Sequence, residues 1–264
     1  MPLYKTKAIV IKSQRWGEAD RIVTFYTEQV GKVRGIARGA RRMKSRFGSA
    51  LEPFRLVELT LFEKNIESLA RISQVDITGS FEGLRENLRL MTAAARIVNF
   101  IRAVTPDRDP NHAVFLALSE GLSTLETVDD PELCALLFQI HVLGHTGFRP
   151  QIDSCTECGR SAGRVPVRFF VQAGGVMCLM CGERSSDRGL PISPGSLAFI
   201  QQARRLPFAK VTRLRASGQI RQEIEQVIET YVEVVIGRSL PSMNVSSQSS
   251  SQFNRFSRSS KEYI

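Results

Sequence analysis

Five cysteines occur in the 264-residue chain, and four of them form two Cys-x-x-Cys pairs, Cys155/Cys158 and Cys178/Cys181. The pairs are nineteen residues apart, and Cys134 stands alone. Each Cys-x-x-Cys turn can direct two thiolates at one ion, and four thiolates suit the tetrahedral preference of Zn2+. Gly159 and Gly182 follow the pairs and ease the tight turns. Four protein ligands leave no position open for water, so a zinc ion here is expected to be structural rather than catalytic. Four reduced cysteines packed as small hydrophobes are the plainer alternative. A redox role for one pair leaves the matching second pair unexplained.

The second chemical signal is charge. The chain carries a formal +10. Residues 1–50 hold twelve Lys or Arg against Glu18, Asp20 and Glu28, a net +9 in one fifth of the length. Lys32, Arg34, Arg38, Arg41, Arg42, Lys44 and Arg46 fall within fifteen residues without an acid among them. Such density is expected to pair with phosphates, displace counterions and bind a polyanion, nucleic acid first. If four to six of these groups engage a single strand, the log–log salt slope is about −3 to −4. No recognition-helix pattern accompanies the run, so binding is expected to be largely independent of sequence. The run reads as a strand continuing into a flexible loop. Trp16 falls in the expected loop after strand one, beside Arg15. A plug at the barrel end is the preferred reading over a base-stacking group, because large aromatics are usually well buried. Phe47 and Phe54 read as core.

Other chemistry is not evident. His141 and His145 are four apart, but Val142 stands where a zinc-protease helix needs Glu, so both read as core or helix-end residues. The acids are scattered and there is no Gly-Lys-Ser/Thr phosphate loop, so no catalytic residue is assigned. No stretch is apolar enough to span a bilayer, and no signal-peptide core follows the first residues. A cytoplasmic protein without a membrane partner is therefore expected.

The elements that must position these groups fall into an α+β order. Lys5 to Ser13, Arg21 to Thr27, Gly31 to Ile36, Phe54 to Phe62 and Leu69 to Thr78 read as five strands, which suits a small closed barrel. Helical spacing then runs from Leu84 through Leu88, Met91, Ala95 and Val98 to Ile101, and Pro106 stops it. Further helices are expected over Asn111 to Glu126, Asp130 to His145, Ser193 to Arg205, and along the Ile220–Val235 stripe that ends near Gly237. Residues 150–190 carry both cysteine pairs and one strand candidate, Val165 to Val171, and are too small to fold on apolar burial alone. The Ser-rich residues 242–264, with Arg255, Arg258 and Lys261, read as a disordered tail.

Three stretches resemble the bacterial DNA repair protein RecO family along nearly the whole chain. They are Gly17-Glu18-Ala19-Asp20-Arg21-Ile22-Val23, Gly35-Ile36-Ala37-Arg38-Gly39-Ala40-Arg41-Arg42-Met43-Lys44-Ser45-Arg46 continuing to Leu51-Glu52-Pro53-Phe54, and Gly147-Phe148-Arg149-Pro150 leading to Cys155 and Cys158. The resemblance implies an N-terminal OB-fold over residues 1–80 and a helical bundle over 81–241 with a zinc module at 150–190. It implies binding of single- and double-stranded DNA and annealing of complementary strands. It further implies partnership with RecR, with RecF and RecA, and with the C-terminal tail of single-strand binding protein, in the nucleoid. Some relatives lack the cysteines, which fits a folding role for the metal. A zinc-ribbon RNA-binding or transcription-associated factor is the alternative from the residues alone.

Overall fold

The structure, a computed structural model, describes residues 3–63 and 69–237. The segment expected to be a Ser-rich tail lies outside them. Strands β1 (Leu3–Trp16), β2 (Asp20–Thr27), β3 (Gly31–Ala37), β4 (Arg55–Phe62) and β5 (Ala70–Ser80) form a closed barrel in the order β1-β2-β3-β5-β4. β4 returns to pair with β1, and β3 and β5 are the parallel neighbours. Period-two alternation sets the inside: Val57, Leu59 and Leu61 of β4 point into a core with Ala8, Val10, Val23, Phe25 and Val33. Residues 8–11 of β1 and 22–27 of β2 are buried on both faces. Ile9, Ile11 and Tyr26 turn outward onto the helices, and a register shift between Val10 and Lys12 marks a bulge at that point.

A 3-10 turn at Glu82–Arg85 leads into α1 (Leu88–Val104), α2 (His112–Leu125) and α3 (Pro131–Leu143). The expected single run from Leu84 is therefore broken. Asn87 leaves the helical region and accepts the amide of Arg89, so the chain restarts there, and Met91 ends up exposed. Asn111 and Asp130 cap α2 and α3 in the same manner, with Pro131 at the first helical position. The cysteine-bearing segment holds β6 (Val167–Phe170), β7 (Gly175–Cys178), the helical turn α4 (Leu179–Gly182) and β8 (Leu190–Pro191). Helices α5 (Pro194–Arg205), α6 (Phe208–Val211) and α7 (Gly218–Ile236) complete the described chain. Gly237, at φ +62°, ends α7 in the left-handed conformation. Among the described residues no helix is long and apolar enough to cross a membrane.

The barrel is seated firmly on the helices. Gly31 has φ +72°, and a β-carbon there would lie 2.2 Å from the carbonyl oxygen of Asp109. Arg85 donates to the carbonyl of Pro53 at 2.6 Å, and Arg108 forms an ion pair with the buried Glu63.

Candidate functional site

Four sulfurs converge. The Sγ atoms of Cys155, Cys158, Cys178 and Cys181 all lie within 4.8 Å of one another, and Cys158 and Cys178 are 3.8 Å apart. A tetrahedron with metal–sulfur bonds of about 2.3 Å has an edge of about 3.8 Å, so the cage fits such an ion. Local structure builds it. The first pair sits on a turn closed by Gly159 N donating to Cys155 O, and the second straddles the end of β7 and α4. Cys155 and Cys178 are buried while Cys158 faces solvent. Burial opposes ionisation of Cys155, yet backbone amides, including Cys178 N at 3.4 Å, hold its thiol down to about 6. Shared hydrogen bonds with the Cys178 and Cys158 sulfurs push Cys181 up to about 12. Cys134 lies elsewhere, buried in α3. His141 is half-buried against Phe208, and His145 follows the helix end with its Nε2 at 3.3 Å from that of His141.

The cationic run resolves into two environments. Lys32 and Arg34 lie on β3, the rest on the β3–β4 connection. Lys32 is not at the surface. Its side chain is 12 % exposed, and its ammonium donates to the carbonyls of Arg102 and Thr105 and pairs with Asp107 at 3.2 Å. A cation at the C-terminal end of α1 satisfies carbonyls that the helix leaves open. Lys32 is thereby committed to the fold rather than to a polyanion. Arg34 is exposed and loosely opposes Asp107 at 3.8 Å.

Arg38, Arg41, Arg42, Lys44 and Arg46 are exposed, and none forms an ion pair among the described residues. Their loop is not the flexible strand extension expected. Phe47, Ala50 and Leu51 insert into the barrel core and pin it. At its other end Gly39 N donates to Asp20 Oδ1 at 2.8 Å, Arg41 N to Ala19 O at 2.9 Å, and the Arg41 guanidinium to Glu18 O at 2.9 Å. Arg46 lies over the Phe47 ring at 4.9 Å. The contrast with the C-terminal half is instructive. Residues 189–222 contain no acid and six bases, but Arg204, Arg215 and Arg221 meet Asp153, Asp129 and Asp130 in space.

Two expectations change. Trp16 is neither in a loop nor a plug: it ends β1, opposite Asp20, and is 55 % exposed. Burial of the strand stops at Ile11, so the last turn of the β1–β2 hairpin stands clear of the barrel and has no core for an indole to enter. The same extension exposes Lys12 and Arg15, two cations the fifteen-residue window left out. The sequence signal was available: the apolar run of β1 ends at Ile11, five residues before Trp16.

The chain thus combines a small closed barrel that carries exposed cations, helices packed against it and four cysteine sulfurs close enough together to hold one metal ion. The family model described as recombination protein O, N terminal, matches residues 1–81, and recombination protein O, C terminal, matches residues 85–244. A DNA repair protein RecO from Rubrobacter xylanophilus is 34 % identical over 88 % of this chain and 92 % of its own. One from Myxococcus xanthus is 33 % identical over 94 % and 98 %. The chain belongs to the RecO family.

Proposed function

We propose that the chain is a DNA repair and recombination mediator that works without bond chemistry. It binds single- and double-stranded DNA through an OB-fold barrel, residues 1–80. It anneals complementary strands and helps load RecA onto DNA coated by single-strand binding protein, together with RecR and RecF. The helical part, 81–241, holds the metal module at 150–190 and meets partner proteins, among them the C-terminal tail of single-strand binding protein. The ion held by Cys155, Cys158, Cys178 and Cys181 is zinc, and it stabilises that module without touching DNA. The strand order, with a parallel β3–β5 closure, supports the OB-fold reading.

The observation that carries the reading is the pinned loop whose cations find no carboxylate. Unpaired charge held outward is free to replace the counterions of a phosphate chain, and the entropy of their release drives binding. Because the contacts are to phosphates, bases stay available to pair. Two strands of like charge, neutralised on one surface, can then approach each other. Arg38, Arg42, Lys44 and Arg46 supply this charge directly, with the exposed Arg34 of β3 and Lys12 of β1 in addition. Arg41 spends hydrogen bonds on the β1–β2 turn and so also fixes the loop, and Lys32 is left out.

The test spares Arg41 so that the loop survives. In Arg38→Ala/Arg42→Ala/Lys44→Ala, affinity for a single-stranded oligonucleotide should fall, and the magnitude of the log–log salt slope should shrink by about 2, from ~0.7 per lost phosphate contact. Annealing of complementary oligonucleotides should slow in parallel. An unchanged slope and affinity would place the DNA surface elsewhere.

A further inference from the structure

The charge on the loop explains attraction to any phosphate chain but gives no reason to prefer an unpaired strand over a duplex. One exposed group does. We propose that Trp16 is a base-stacking platform that selects single strands, an inference that rests on the DNA-binding face proposed above.

Among the largest apolar side chains of the barrel, Phe25, Tyr26, Leu59 and Leu61 are fully buried, whereas the single tryptophan of the chain lies in water. Its position is held. β1 runs on past Ile11 through Lys12, Ser13, Gln14 and Arg15, paired with β2 to the last residue, and Gly17 at φ +54° turns the hairpin. Four hydrogen bonds from the loop then clamp the turn: the Arg41 guanidinium to Gly17 O and Glu18 O, Arg41 N to Ala19 O, and Gly39 N to Asp20 Oδ1. The indole and the cationic loop therefore form one unit rather than two independently moving tips. Strand alternation puts Lys12 and Gln14 on the side of Trp16, and the register Lys12↔Thr24↔Arg34 continues that face across β2 to β3. On the loop itself Met43 is fully exposed between Arg42 and Lys44. The hairpin thus offers an aromatic ring on the side that carries Lys12 and Arg34, and the loop clamped to its turn adds the exposed Arg42, Met43 and Lys44.

The chemistry of the ligand follows. Phosphates are common to both forms of DNA. A free base face exists only where the strand is unpaired, since the duplex stacks its bases on each other. Stacking on an indole is insensitive to base identity, because every base has a π-face. Charge then sets the overall affinity, and Trp16 sets the difference between single strand and duplex.

The sole tryptophan is also the reporter. The full-length protein is titrated with unlabelled poly(dT) and, separately, with a blunt duplex at the same phosphate concentration, while fluorescence anisotropy of a labelled oligonucleotide records binding independently. Stacking should quench Trp16 emission with poly(dT) and leave it nearly unchanged with duplex. Trp16→Ala should bind the single strand about tenfold more weakly, within the fivefold to hundredfold range of a lost stacked base, with duplex affinity unchanged and the salt slope preserved. Trp16→Phe should recover part of the loss. If the anisotropy shows single-strand binding while emission stays constant, or if Trp16→Ala weakens both ligands equally, the stacking role is wrong and the cationic face stands. If neither DNA binds at low salt, the DNA-binding face fails and the stacking role with it.

Discussion

At the scale of single residues, the molecule repeatedly uses a charged side chain to finish a backbone that helices leave incomplete. Lys32 does this at the end of α1. Glu223 does it at the start of α5: its carboxylate accepts from Ser193 N at 2.7 Å, Ser196 Oγ at 2.6 Å and Gln219 Nε2 at 2.7 Å. Burial alone would raise the pKa of Glu223, but these donors prevail and bring it down to about 2. A folded-state pKa below the unfolded value of about 4.3 means that Glu223 stabilises the fold above that pH. The contribution is lost as pH falls from there towards 2. The thermal midpoint of the wild type should therefore drop more steeply between pH 5 and pH 3, read as about those limits, than that of Glu223→Gln. The variant itself should be less stable at neutral pH by about 1.5–3 kcal/mol, the range for hydrogen bonds to a charged acceptor. Parallel midpoint-against-pH curves for the two proteins would remove Glu223 from this role. Lys32 also shows where reading residues one at a time stops. Its run of neighbours looks uniformly cationic, and nothing local reveals that carbonyls seventy and seventy-three residues away claim its ammonium.

At the scale of elements, what was legible depended on whether the signal was local. The caps Asn111, Asp130-Pro131 and Ser193-Pro194 locate three helix starts within a residue or so, because the capping chemistry is complete within four residues. The stripe from Ile220 to Val235 and the closing Gly237 do the same for α7. The break at Glu86 and Asn87 was hidden because apolar spacing continues across it, and only the side-chain bond to Arg89 N decides it. β7 and β8 were missed because a four-residue strand and a two-residue strand carry too little alternation to read. The cysteine module illustrates the same dependence energetically. Its inner side rests on the main core through Phe169, which meets Tyr231 edge-on at 5.6 Å. Its outer side has only Cys155, Phe170, Met177 and Cys178 buried together. A core that small is what a metal ion held by the four cysteines would supplement. The protein should contain about one zinc per chain, by the four-ligand rule, measured with a colorimetric indicator after thiol modification. Cys158→Ser should lower that content and open residues 156–188 to protease while the barrel stays resistant. Cys134→Ala should leave the zinc in place. Equal protease resistance with and without metal would mean that the thiols pack as ordinary apolar groups.

At the scale of the whole molecule, the question is whether the barrel and the helices behave as one body. The pattern of burial answers it. Along β1, Ala8 and Val10 face the barrel interior while Ile9 and Ile11 face the helices; along β2, Phe25 and Tyr26 divide the same way. These two strands are therefore shared between two cores, and neither core can be dissolved without exposing the other side of the same backbone. The second core runs without interruption from Ile9 and Phe54 through Phe100 and Phe138 to Phe169 in the metal module and Val227 in α7. Cooperative unfolding follows from such sharing, because partial unfolding would leave apolar faces and strand edges in water at once. Phe25 offers a clean probe, since it is fully buried inside the barrel and belongs to the core that faces away from the helices. Phe25→Ala should destabilise by about 3–5 kcal/mol, the usual cost of removing a buried phenyl ring. That loss should shift the helical circular-dichroism melt as a single transition, although no helix has been altered. If the helical signal melted at its wild-type midpoint while the barrel signal moved, the two parts would be independent, and the shared strands would be a packing contact without mechanical consequence. If they move together, the barrel and the helices fold as one unit through the shared strands β1 and β2.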